Sequence, residues 1–198
     1  MLYRLSILAA LLVVPFGLSQ QHPPVKRSAD PAPIPAQRAA NSYAIYSLLL
    51  PGAAEDRIAP TKARDWVVAD TTINLTDMNP AIPPNGQLTP PPDNPKAFEE
   101  ALGDFEARKY ERFQITAKGL GRESHPRLID QQRVDSIRQS GQGGIVFFSA
   151  VYFNHAQTAA LVYVNQWCAN LCSAGQWVYL EKQGGHWVRR SGITNGGA

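Results

Sequence analysis

The chain lacks nearly everything that would announce a chemistry. Of its 198 residues only 2 are cysteine and 4 histidine. His22, His125, His155 and His186 share no helix face at ligand spacing, and no His-Glu-x-x-His occurs, so no metal centre is expected. No cofactor is implied either. Charge of one sign is also missing. Lys and Arg number 19 against 16 Asp and Glu, and the basic residues are scattered, which excludes the electrostatic footprint of a nucleic-acid binder. Long hydrophobic runs are absent beyond the first residues, so no membrane span is expected in the mature chain.

The exception is the start. Arg4 precedes an apolar run from Leu5 to Val14, Pro15 ends it, and Gly17 and Ser19 are small residues at the −3 and −1 positions of a cleavage site. Residues 1–19 therefore read as a signal peptide cleaved after Ser19, and the protein as secreted or periplasmic. Residues 20–35 carry Pro23, Pro24, Pro31, Pro33 and Pro35 and little that is large and apolar. Such a segment cannot offset its ordering entropy and is expected to be a disordered, semi-rigid tether.

Residues 36–198 read as a single α+β domain. Ala39, Tyr43, Tyr46 and Leu50 recur at helical spacing before Pro51-Gly52. Trp66 to Ile73 is rich in β-branched residues and reads as a strand. A second proline cluster at 80–95 is expected to be an irregular surface loop. Asn94-Pro95 then opens a helix, with asparagine at the N-cap and proline at N1, and Phe98, Ala101, Leu102 and Phe105 on its buried stripe. Asp130 to Arg138 fits a short helix with Val134 and Ile137 facing inward.

The last quarter reads as strands at Ile145–Phe153, Thr158–Trp167, Gln176–Lys182 and Trp187–Ser191. Short connections make them an antiparallel meander of about four strands, with the strand at Trp66 as a further member. A three-residue loop, Gln183 to Gly185, is expected at the last hairpin because it places Leu180 opposite Val188. Helices first and strands after point to a nuclear-transport-factor-like cone as the specific architecture.

Cys168 and Cys172 lie at a strand junction in Cys-Ala-Asn-Leu-Cys. Three intervening residues do not fit the redox spacing of two, and no further ligands complete a zinc site. In an oxidising compartment the pair is expected to be a disulfide that staples one turn, contributing about 2 kcal/mol by chain entropy. Ser149, His155 and an acid such as Asp70 are the one nucleophile–base set that can be drawn, although Ser149 lacks a Gly-x-Ser-x-Gly turn. Trp167, Trp177, Tyr179 and Trp187 gather in the C-terminal sheet, either as core or as a ring-lined ligand face. Asn74-Leu75-Thr76 has the form of a glycosylation sequon.

Ser149, Val151, Phe153, Asn154, then Ala160 to Val164, then Cys168, Leu171, Cys172 and Gly175, and finally Leu180, Lys182, Gly185 and Trp187 form a pattern of their own. It resembles the C-terminal core of a group of uncharacterised exported bacterial proteins, Ser-x-Val-x-Phe-Asn, Ala-Leu-Val-Tyr-Val, Cys-x-x-x-Cys and Lys-x-x-Gly-x-Trp. Ala169 and Ser173 depart from it, standing where that pattern has glycine after each cysteine. The resemblance implies export and a cysteine turn, and no activity.

Two functions follow as expectations. The first is a non-catalytic exported domain that binds a small ligand, an envelope component or a protein partner, with Ser149, Asn154, His155, Trp177 and Trp187 as candidate contacts. The alternative is a small secreted hydrolase-like enzyme with its site near Ser149, Asn154 and His155.

Overall fold

The computed structural model describes residues 31–50, 67–78, 81–120, 127–141, 144–169 and 172–190. The expected leader, most of the tether and Trp66 lie outside them. The elements in chain order are β1 (Ala32–Pro33), α1 (Ala36–Leu49), β2 (Val67–Ala69), a 3-10 turn (Leu75–Asp77), α2 (Pro84–Gln87), α3 (Pro95–Arg108), β3 (Phe113–Gln114), β4 (Arg127–Ile129), α4 (Gln131–Ser140), β5 (Ile145–Phe148), β6 (Tyr152–Phe153), β7 (Ala159–Ala169), β8 (Cys172–Gln183) and β9 (His186–Arg189).

The α+β class holds, but the sheet is larger than a four-strand antiparallel meander and is mixed. Its order is β4-β2-β5-β7-β8-β9, with β6 also paired to β7, making seven strands. β5, β7, β8 and β9 form the antiparallel run. β2 lies parallel to both β4 and β5, and α4 makes the crossover from β4 to β5. The parallel part escaped the sequence reading because β2 and β4 are three residues each, too short to display a period.

Alternation along the strands sorts the core into layers. Ala160, Val162 and Val164 of β7, with Val146 and Phe148 of β5, face Ile45, Tyr46 and Leu49 of α1. The opposite side chains, Ala159, Leu161 and Tyr163, meet Phe98, Ala101 and Phe105 of α3. Further along that second face, Ile145, Phe147 and Trp167 meet Val134 and Ile137 of α4. Helices thus cover both faces, so the sheet does not form the open-mouthed cone suggested by element order.

Two local expectations also change. The last hairpin turns on Gly184 and Gly185 alone, both at positive φ, and pairs Leu180 with Arg189 and Glu181 with Val188. Two positive-φ residues suit the tight turn that matches strand twist. This register buries Trp187, the larger apolar side chain, and leaves Val188 exposed. The proline cluster is not wholly irregular. It contains the single turn α2, which straps β8: Trp177 Nε1 donates to Ile82 O at 2.8 Å and Gln87 Oε1 accepts from Trp177 N at 3.0 Å. The end of the expected tether is likewise paired, β1 lying parallel to β3. Asn74 is buried and caps the 3-10 turn while its Nδ2 donates to Tyr110 O, which leaves no free amide for a glycan.

The expected strand Ile145–Phe153 is broken between β5 and β6, and polar side chains mend the break. Ser149 N donates to Tyr163 O, and Ser149 Oγ accepts from Tyr163 N at 2.8 Å in place of a carbonyl. Beyond it, β6 has a strand neighbour on one side only. On the other side Asp104 of α3 accepts from Phe153 N at 2.8 Å, and Arg38 of α1 donates to Val151 O at 2.8 Å. Arg38 and Asp104 then join as a two-pronged ion pair around the strand edge.

Removing the Asp104 carboxylate orphans the Phe153 amide and leaves the Arg38 guanidinium with the Val151 carbonyl but no counter-charge. Asp104→Ala is expected to cost about 2–4 kcal/mol in chemical denaturation, with Asp104→Asn losing less. Burial holds the Tyr46, Tyr152 and Tyr179 hydroxyls well above their ordinary value near 10. The folded pKa is raised, so their stabilisation is complete below about pH 10 and is lost as pH rises beyond it. In a spectrophotometric alkaline titration these three should ionise only together with unfolding.

Candidate functional site

The second face of the sheet is covered by two helices, and beside α4 part of it is left open. α3 covers the Ala159–Tyr163 end of β7 and α4 covers the Trp167 end. A cavity of about 380 Å³ lies beside α4, between it and the segment Asp77–Met78 with Arg112, floored by Phe147, Tyr163 and Asn165 and reaching the carboxyl end of β2. The carboxyl end of a strand with parallel neighbours on both sides is where open parallel sheets commonly seat ligands.

Its walls are polar by construction. Gln131 and Arg138 line it from α4, seven residues apart on the face that also buries Val134. The Arg138 guanidinium lies over the Phe147 ring, 4.9 Å from its centroid. From the other side come Asp77 and Arg112. Asp77 is held by a capping box in which its Oδ2 accepts from Asn74 N at 2.8 Å, and its Oδ1 accepts from the Arg112 guanidinium. That bond anchors Arg112 and leaves its Nε–H buried with no partner among the described residues.

The floor depends on one glycine. Asn165 lies opposite Gly175 across the β7–β8 ladder. A Cβ at 175 would meet Tyr163 Oη at 1.8 Å and Asn165 Nδ2 at 2.9 Å. Both side chains therefore lie over bare backbone, which only glycine leaves open. Asn165 Oδ1 accepts from Ser173 Oγ at 3.1 Å, so its Nδ2 remains the unspent end of the amide.

The unspent groups include the Arg138 guanidinium, Asn165 Nδ2 and the Tyr163 hydroxyl, which has no hydrogen-bond partner among the described residues, while Gln131 spends its Nε2 on Asp135. Asp77, the one carboxylate among the lining residues, is already paired with Arg112. Among the described lining residues the charge balance is therefore one positive unit, carried by Arg138. Such a lining accepts an anionic, acceptor-bearing group.

The residues singled out from sequence lie elsewhere. Ser149 is fully buried; its Oγ accepts from Tyr163 N and donates to Ala150 O at 2.7 Å, and Tyr46 Oη donates to its carbonyl. Asn154 Oδ1 accepts from Thr158 N and Ala159 N, each at 2.8 Å, and organises the turn before β7. His155 is exposed, with Nδ1 3.2 Å from Glu100. Asp70 accepts from Thr71. Ser149, His155 and Asp70 each spend their hydrogen bonds on other partners, so no triad is assembled. Trp177 and Trp187 are core residues on opposite faces. Trp177 meets Phe105 edge-on at 5.3 Å, while Trp187 packs with Phe153 beneath the Lys182 ammonium. Cys168 and Cys172 are disulfide-bonded at the β7–β8 tip, with Cα atoms 5.1 Å apart.

Sequence reasoning missed Arg112, Arg138 and Asn165. The one available signal was Asn165, a polar residue within the apolar run of β7; the two arginines look like ordinary helix-end cations. In comparisons with known proteins, no family model, no curated protein and no solved structure matches the chain.

Gly175→Ala should push Tyr163 and Asn165 off the β8 backbone into the cavity. Overpacking of this kind is expected to lower stability by about 1–3 kcal/mol in thermal or urea unfolding. Gly103→Ala, where a Cβ meets nothing within 4 Å on a helix, is the matched control and should be neutral or stabilising.

Proposed function

We propose that this chain is an exported, non-catalytic binding domain that seats a small ligand in the cavity beside α4, at the carboxyl end of β2. The observation that carries the reading is the cavity itself: convergent polar groups over an aromatic floor, with no nucleophile–base pair among its lining residues. A ligand site needs fixed donors, and these are fixed by the capping box, the Arg112–Asp77 pair and the bare backbone at Gly175.

Export is supported by the pattern of residues 1–19, by the Cys168–Cys172 disulfide, and by the resemblance of residues 149–187 to exported bacterial proteins. Among the described residues no helix is long and apolar enough to cross a membrane. In this reading the protein is secreted or periplasmic, and of the small ligand, envelope component or protein partner expected from the sequence, the cavity supports the small ligand.

Expressed from the full chain in a secreting bacterium, the protein should appear outside the cytoplasm with Gln20 as its N-terminal residue and with no free thiols after denaturation. A retained leader, or two titratable thiols, would count against the proposal. Ester turnover on a generic chromogenic substrate should be at background, and Ser149→Ala should leave it there while destabilising the fold by about 1–3 kcal/mol, because Tyr163 N loses its acceptor.

A further inference from the structure

We infer that the ligand is a small organic carboxylate, held with its anionic head on Arg138 and its body on Phe147 and Tyr163. The inference rests on the cavity being the binding site and adds the class of molecule that fills it.

Three features select that class. The first is charge. Arg112 is neutralised by Asp77, and Arg138 has no carboxylate partner among the described residues, so the seat complements one negative charge. A carboxylate supplies one; a phosphate monoester near neutral pH carries closer to two. The second is the kind of unspent atom. Asn165 Nδ2 and the Tyr163 hydroxyl can both donate, which suits the acceptor oxygens of a carboxylate. The third is the floor. The Arg138 guanidinium lies over the Phe147 ring, 4.9 Å from its centroid, and has no acceptor partner among the described residues, which leaves its N–H groups for a two-oxygen partner. The same floor offers ring surface to an apolar or sugar-ring body.

Arg112 is held in place by Asp77, so it shapes the cavity wall while Arg138 supplies the uncompensated charge.

The test uses the mature protein and follows backbone amides together with the arginine Nε–H signals by nuclear magnetic resonance. Benzoate, D-glucuronate, D-glucose and inorganic phosphate are titrated separately to millimolar concentrations. The expected result is that benzoate or glucuronate shifts Arg138 Nε–H and the amides of Phe147, Tyr163 and Asn165, while glucose does not. Arg138→Gln, an exposed helix position, should weaken that binding about tenfold or more with the amide spectrum otherwise intact. Glucose binding as well as glucuronate at the same amides would overturn the carboxylate assignment and leave the cavity reading standing. Phosphate binding more tightly than either carboxylate would likewise replace it with a phosphoryl site. Shifts confined to residues outside the cavity would remove both readings. Absence of any shift with both carboxylates, or an unchanged affinity in Arg138→Gln, would reject the inference.

Discussion

Strand β6 has a strand neighbour on one side only, and the carboxylate of Asp104 supplies much of what is missing on the other. An exposed strand edge presents unpaired amides and carbonyls that water or another chain must satisfy. Here Asp104 takes the Phe153 amide and Arg38 takes the Val151 carbonyl, and the two side chains bond each other around the strand. Because Arg38 belongs to α1 and Asp104 to α3, the same contact ties the helix on one face to the helix on the other. Arg108 adds a further donor to Asp104 at 3.1 Å, and the Arg38 guanidinium rests 5.0 Å above the Phe153 ring. One polar cluster thus ends a strand, caps an edge and fixes two layers.

The cavity lies away from that arrangement, on the part of the second face next to α4, which packs there through Val134 and Ile137. Its lining is then settled by short-range chemistry: a capping box orients Asp77, Asp77 orients Arg112, and a missing side chain at Gly175 admits Tyr163 and Asn165.

The parts of the fold that could be read from sequence are those governed by local rules. α3 begins at the expected Asn94-Pro95 and buries Phe98, Ala101 and Phe105. α4 begins after Asp130, whose side chain accepts from Arg133 N, and buries Val134 and Ile137. Even there, Asn94 spends its side chain on Glu181 rather than on its own helix, a choice made by a residue 87 positions away. The parts that could not be read depend on distant partners. β2 and β4 are strands because they lie beside each other and beside β5, and three residues carry no period. Ser149, Asn154 and His155 attracted attention as polar residues in an apolar stretch; two of them are polar because a strand breaks and turns there. The site residues were silent for the same reason: a lone arginine after a helix looks the same whether or not it faces a cavity.

The placement of β2 also bears on the order in which the chain becomes folded. Its parallel neighbours are β4, at Arg127–Ile129, and β5, at Ile145–Phe148. A chain emerging N-terminus first from the ribosome therefore presents β2 long before either of its neighbours exists. Non-local parallel pairing is slow because loop closure precedes its reward. The topology keeps the leading half unfinished until the trailing half arrives, whereas the long β7–β8 hairpin, with its disulfide at the tip, is made of residues close together in the chain.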